Sequence, residues 1–99
     1  HLACSFLFPI QGGWENSAGI DYAVIGGGWA NIVDGSHAAV VGGGLNAAAG
    51  SYANIGGGLH NSAGADYSVI GGGSANNVGH GGTVGGGEHN TASGAYATI

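Results

Sequence analysis

Apolar and polar residues of the same kind recur along this chain at every fifteenth position. One column of the repeat holds only isoleucine or valine, and its members are Ile10, Ile25, Val40, Ile55, Ile70, Val84 and Ile99. A second column holds asparagine, at Asn16, Asn31, Asn46, Asn61, Asn76 and Asn90, where only the last step is shorter than the others, by one position. A fixed period this short predicts one coil of backbone per repeat, with each coil stacked on its neighbours.

Alternation within each repeat predicts short strands. Side chains alternate between the two faces of a strand, so Ala23 and Ile25 are expected to point inward while Tyr22 and Val24 point outward. Small apolar residues two positions after each asparagine form the opposite inner wall, at Ala18, Val33, Ala48, Ala63, Val78 and Ala92. We therefore predict an all-β fold, a parallel β-solenoid of about six coils with two short strands and two turns per coil.

The repeat defines one domain, residues 11–99, and a different segment precedes it. Residues 1–10 contain the bulky apolar run Phe6-Leu7-Phe8-Pro9-Ile10, in phase with the predicted strands. We expect this segment to cap the first coil or to dock on the open last coil of another subunit. A further interpretation is that the repeats continue in a longer parent protein.

The asparagine column has two structural interpretations. In stacked parallel coils, aligned amides can hydrogen-bond along the solenoid axis. Alternatively, each asparagine closes a turn of its own coil through its side chain. In either role the six asparagines form a structural ladder rather than a ligand site.

Composition argues against several classes of partner. The chain has no Lys or Arg and five acidic residues, which gives a formal net charge of −5. Without lysine and arginine side chains the chain cannot neutralise phosphates in the usual way, so we expect no binding to nucleic acid or anionic membranes. The apolar stretch at residues 2–10 is too short to insert across a bilayer. The 25 glycines keep fixed positions in the repeat, as turns require and disordered chains do not.

The sequence gives little support for catalysis, and we expect neither an enzyme nor a bound cofactor. Ser36 and His37 are adjacent, but with Asp34 in a turn they do not have the spacing of a catalytic triad. Asp21 and Asp66 occupy equivalent positions three coils apart. The resulting distance of about 14 Å between them is too long for the two carboxylates to act together as general acid and general base. A trimer axis could bring three copies of one histidine together around a metal, but we expect surface or interface roles for the histidines.

Aromatic residues are the strongest candidates for contacts with a partner or ligand. Trp14 and Trp29 align one coil apart, and Tyr22, Tyr52, Tyr67 and Tyr96 form a column of their own. Rings of this kind either pack in an interface between subunits or against a turn, or they stack on sugar rings. Together with outward valines, the tyrosines would form an amphipathic stripe that can bury against sister chains.

Several segments resemble a known family of bacterial surface proteins. They are Ala23-Val24-Ile25-Gly26, Ala53-Asn54-Ile55-Gly56, Ser68-Val69-Ile70-Gly71 and Asn90-Thr91-Ala92-Ser93-Gly94. These segments are similar to the head repeats of trimeric autotransporter adhesins (YadA-like heads), and to repeats of tail-fibre-like surface proteins in bacteria and phages. The resemblance implies a left-handed β-roll, three chains packed around one axis, and display outside the cell as an adhesin. The triplets of this chain contain more glycine than the corresponding positions of the usual head repeat.

The sequence thus predicts a structural and interaction protein, a repetitive segment of an extracellular fibre, filament or surface adhesin, at the cell surface or in a phage tail fibre. Its expected partners are further copies of itself, as a homotrimer or an end-to-end polymer, and a host surface or glycan. A carbohydrate-binding module on the same fold is the first alternative. Ice binding is less favoured, because the outward column Val24, Ala39, Asn54, Val69, Thr83 and Thr98 is mixed, so we expect no thermal hysteresis.

Overall fold

A computed structural model describes residues 2–3, 15–18 and 22–99 of the chain. The secondary structure in these ranges consists of two-residue strands separated by turns. The strands are β1 Leu2–Ala3, β2 Ser17–Ala18, β3 Val24–Ile25, β4 Ile32–Val33, β5 Ala39–Val40, β6 Ala47–Ala48, β7 Asn54–Ile55, β8 Ser62–Ala63, β9 Val69–Ile70, β10 Asn77–Val78, β11 Thr83–Val84 and β12 Thr91–Ala92.

The strands form two parallel sheets, one on each side of the core. The first sheet has the order β1-β2-β4-β6-β8-β10-β12, and the second has the order β11-β9-β7-β5-β3. Each strand pairs with the strand one coil away, as Ile32 does with Ala47. The offset between paired residues equals the period of the repeat except at the short coil, where Asn77 pairs with Thr91. The structure therefore confirms the predicted parallel β-solenoid, with about five turns and principal-axis extents of 32 × 21 × 12 Å.

A third line of contacts, which the sequence did not predict, runs along the return from the second sheet to the first. Trp29 bridges to Gly44 and Gly44 to Leu59, and the line continues through Ser74 to Glu88. The bridged residues belong to successive coils and pair in parallel. Each coil therefore contacts its neighbours along three lines rather than along the two that were predicted.

The core consists of the two inward columns and the small residues beside them. The buried side chains in the strands of the second sheet, and in the residue just before each strand, are Ala23, Ile25, Ala38, Val40, Ala53, Ile55, Ser68, Ile70 and Val84. Those of the first sheet are Val33, Ala48, Ala63, Val78 and Ala92. None of these is more than 2% exposed. The alternation along each strand thus predicted the inner faces correctly at these positions.

Ile99 differs from the prediction that it belongs to the core. It is 52% exposed, because no further coil among the described residues packs over it. Ile10 lies outside the described residues, as do Trp14 and most of the N-terminal segment. The strand Leu2–Ala3 pairs in parallel with Ser17–Ala18, one repeat period further along, so the start of this segment follows the register of the repeat.

Backbone with positive φ recurs at fixed positions in the described coils. One such position is the third glycine of the triplets that end at Gly28, Gly58, Gly73 and Gly87, and Gly43, the middle glycine of its triplet, takes the same place with φ of 88°. A Cβ at Gly43 would overlap the Gly58 carbonyl oxygen in the next coil, so both the conformation and the close approach require glycine. Two further positions have positive φ at residues that are mostly not glycine, as at Leu45 (55°) and Tyr52 (61°). The second of these carries the outward aromatic residues.

Candidate functional site

The asparagine column forms a ladder of amides through the interior. The Asn46 Oδ1 accepts the backbone N–H of Asn61 at 2.9 Å, and equivalent bonds recur along the column. The Asn61 Nδ2 donates to the carbonyl of Gly57 at 2.8 Å and to that of Gly73 at 3.0 Å. The amides therefore join successive coils along the axis, and they also bind the glycine turns.

The ladder offers little to a ligand. The five asparagines from Asn16 to Asn76 are at most 1% exposed, and Asn90 is half-buried. Within the described ranges, every buried side-chain nitrogen or oxygen has a hydrogen-bond partner. Groups that could contact another molecule must therefore be sought on the exterior.

Outward aromatic residues form a second ladder along one edge of the solenoid. We call it the aromatic ladder, and its members are Tyr22, His37, Tyr52, Tyr67, His80 and Tyr96. They lie in the turns that lead from the first sheet to the second. The first four rings stack nearly in parallel, with centroid distances of 4.7, 4.9 and 5.3 Å and interplanar angles of 10°, 7° and 1°. The sequence predicted the tyrosine column, but not this stacking.

The stacking determines which parts of the rings are available. The faces of the inner rings cover one another, so a sugar ring cannot stack on His37 or Tyr52 without displacing a neighbour. Ring edges remain at the surface, since Tyr52 is 46% exposed and Tyr67 is 59% exposed. The ladder therefore presents a row of ring edges rather than a flat aromatic platform.

The one-residue deletion interrupts the aromatic ladder. In the short coil Gly81 takes the positive-φ position that an aromatic residue has elsewhere, with φ of 65°. The Tyr96 ring lies over Gly81 and leaves no room for a side chain there. A Cβ at Gly81 would be only 2.7 Å from the Tyr96 Cδ1. His80 contacts Tyr67 and Tyr96 edge-on, at centroid distances of 6.5 and 5.7 Å. The parallel stack thus ends at Tyr67.

Sequence reasoning identified the aromatic column but did not assign His80 to it. Gly81 takes the aromatic position of the short coil, and His80 stands one position before it, where the earlier coils have Ser51 and Asp66, so the period of the repeat does not find it. The shortened spacing between Asn76 and Asn90 marks this coil as irregular, but it aligns Gly81 rather than His80 with the tyrosines.

A separate apolar patch lies on the third line of contacts. We call it the Trp29 patch, and it consists of Trp29 and Leu59 on that line and of Leu45 beside it, with exposures of 48%, 40% and 37%. The indole of Trp29 lies over Gly44, where a Cβ would be 2.6 Å from the indole Cε2. Trp14, its predicted neighbour one coil earlier, lies outside the described residues. The patch is thus an exposed apolar surface on the side of the coil that returns to the first sheet.

Charged groups are sparse on the described surface. The Asp66 Oδ1 accepts the Ser51 N–H at 2.9 Å and so joins two coils beside the aromatic ladder. Within the described ranges, no cluster of three or more His, Cys, Asp and Glu side chains could hold a metal ion. The same ranges contain no helix with the length and hydrophobicity needed to cross a membrane.

Comparison of the chain with protein-family models, with curated proteins and with solved structures found no match. Candidate functions are therefore judged from the chain's own surface. Its main exterior features are the aromatic ladder, the Trp29 patch and the outward faces of the two sheets.

Proposed function

We propose that this chain is a structural and interaction protein, a repetitive segment of an extracellular fibre, filament or surface adhesin. In the proposed assembly, three chains pack around one axis as left-handed β-rolls of about six coils. The observation that carries the proposal is the regular exterior, where aromatic rings follow one another at 4.7 to 5.3 Å along one edge. A surface that repeats at the spacing of the coils is suited to multiple contacts with another extended surface.

The small core supports self-association. In each coil the second sheet buries one isoleucine or valine, and the other buried apolar side chains are alanine or one further valine. At about 25 cal/mol per Å², this burial contributes little against the roughly 1–2 kcal/mol per residue that ordering the backbone costs. The outward face of the second sheet carries Val24 and Val69, at 42% and 37% exposure. Packing this face against sister chains adds buried apolar area and leaves the edges of the aromatic ladder free to meet a target.

Sedimentation equilibrium tests the assembly. We expect a species with three times the 9.4 kDa mass of the chain. The double substitution Val24→Ser and Val69→Ser should weaken this species, because it removes apolar area from the outward face and leaves the core intact. Asn77→Ser, on the outward face of the first sheet, is the matched control and should leave the measured mass unchanged. A folded and stable monomer of the unaltered chain contradicts the proposed trimer.

A carbohydrate-binding module on the same fold is the second candidate, and the exposed indole of Trp29 favours it. Aromatic rings with an accessible face bind sugars by stacking on them. Binding on a glycan array that Trp29→Ala abolishes supports this candidate. Tyr52→Phe is the control and should retain the binding, because its ring faces are already covered by neighbouring rings. An array without signal favours the structural protein.

A further inference from the structure

Two tyrosines of the aromatic ladder are direct neighbours. Tyr52 and Tyr67 stack with their centroids 5.3 Å apart and their ring planes inclined by 1°. Every other pair of successive tyrosines that the structure describes has a histidine ring between its members. The described chain therefore has one place where two phenols lie side by side.

The backbone holds these two rings in register. Both residues have φ of 61°, so their side chains leave the backbone in equivalent directions. The Tyr52 N–H donates to the Ser36 carbonyl and the Tyr67 N–H to the Ser51 carbonyl, each at 2.9 Å. The Asp66 carboxylate also accepts the Ser51 N–H. The rings are thus held together, yet at 46% and 59% exposure they are accessible to an oxidant.

We propose that Tyr52 and Tyr67 form an oxidative coupling site, at which hydrogen peroxide acting through a peroxidase joins the two rings as dityrosine. Each phenol loses one electron and one proton and becomes a phenoxyl radical. The two electrons and two protons reduce one hydrogen peroxide to two waters. A carbon–carbon bond then forms between one Cε of each ring, where the radicals carry spin density. The hydrogens on the joined carbons move to the oxygens and restore two phenols, so the product has lost two hydrogen atoms.

The new bond links adjacent coils covalently. It closes a loop between two residues that are one repeat period apart, and such a cross-link restricts the unfolded chain. We expect the cross-linked protein to have a Tm higher by roughly 10 °C. The site depends on ring stacking within one chain, so the proposal is independent of the trimer and of any target on another surface.

The test uses the whole chain at high dilution with peroxidase and hydrogen peroxide, followed by a protease that cleaves before aspartate. Cleavage before Asp34 and Asp66 separates peptide 34–65, which holds Tyr52, from peptide 66–99, which holds Tyr67. We expect dityrosine fluorescence, the denatured mass of a single chain less two hydrogen atoms, and a digestion product that joins these two peptides. Fragment spectra of that product assign the bond to Tyr67 rather than to Tyr96.

Tyr67→Phe keeps a ring in the stack but removes the phenol, and it should lower the yield of cross-linked single chain at least about tenfold. Tyr96→Phe is the matched control and should retain the yield. The chain unfolded in denaturant should couple its tyrosines without preference for this pair. The proposal is overturned if Tyr67→Phe retains the yield, if the unfolded chain gives the same product, or if the product has the mass of two chains.

Discussion

At the residue scale, the residues of the aromatic ladder other than His80 have a backbone conformation that tyrosine does not favour. The turn of residues 50–53 is closed by the Ala53 N–H donating to the Gly50 carbonyl at 3.1 Å, and its third residue, Tyr52, has φ of 61°. Left-handed backbone costs most residues about 1–2 kcal/mol. Ring stacking contributes about 0.5–1.5 kcal/mol per pair, which is enough to offset that cost. Consistent with this, glycine takes the position at Gly81, where the parallel stack has ended.

This balance predicts an unusual order of stability at position 52. We expect Tyr52→Gly to have a free energy of unfolding about 1 kcal/mol higher than Tyr52→Ala. Both variants lose the two ring contacts, but only glycine relieves the left-handed backbone. Chemical denaturation measures the difference. At Ala39, in strand β5, Ala39→Gly should instead lower stability by about 0.5–1 kcal/mol. Equal stability of the two variants at position 52 would contradict backbone strain there.

At the element scale, the asparagine ladder reinforces the strand pairing between coils. Each amide spans the gap that the short strands leave, because a two-residue strand offers few backbone hydrogen bonds of its own. The Asn61 Oδ1 accepts the Asn76 N–H at 3.0 Å, while its Nδ2 binds carbonyls in its own coil and in the next. One side chain thus satisfies backbone groups of two consecutive coils in a buried place.

Removal of one amide should therefore destabilise the solenoid strongly. We expect Asn61→Ala to lower the free energy of unfolding by at least about 3 kcal/mol, because it leaves a buried N–H and two carbonyls without this partner. Asn54→Ala is the matched control, since Asn54 is exposed and its Nδ2 donates to the Tyr52 carbonyl at 3.2 Å. That substitution should change stability by no more than about 0.5 kcal/mol. Similar losses for the two variants in chemical denaturation would show that the ladder contributes little.

The sequence predicts the elements whose formation depends on side-chain burial. Inward positions such as Val33 and Val40 leave an apolar period that can be read directly, and the equal spacing of asparagines predicts their alignment. The third line of contacts leaves no such signal, because its residues, from Trp29 and Gly44 to Glu88, share neither size nor polarity and pair through the backbone. The stacking in the aromatic ladder could not be predicted from the sequence either, since it depends on the φ angle of the turn that carries Tyr52.

At the scale of the whole molecule, cohesion comes from neutral contacts. Buried aliphatic columns, hydrogen bonds of the asparagine amides and backbone pairing between coils run along the solenoid, which has extents of 32 × 21 × 12 Å. The chain has no Lys or Arg to form ion pairs with its five acids. Electrostatic interactions between side chains are therefore mainly repulsion among the acids, spread over an elongated surface.

We therefore expect stability to respond weakly to salt. The free energy of unfolding should change by less than about 1 kcal/mol between roughly 0.05 and 0.5 M NaCl, with any change toward greater stability, because screening weakens repulsion between acids. Denaturant titrations at several salt concentrations measure this response. Asp66→Asn keeps an oxygen that can accept the Ser51 N–H but removes one negative charge, so its response should be smaller still. A loss of about 2 kcal/mol or more with added salt would mean that attractive ion pairs stabilise the fold, since screening weakens such pairs.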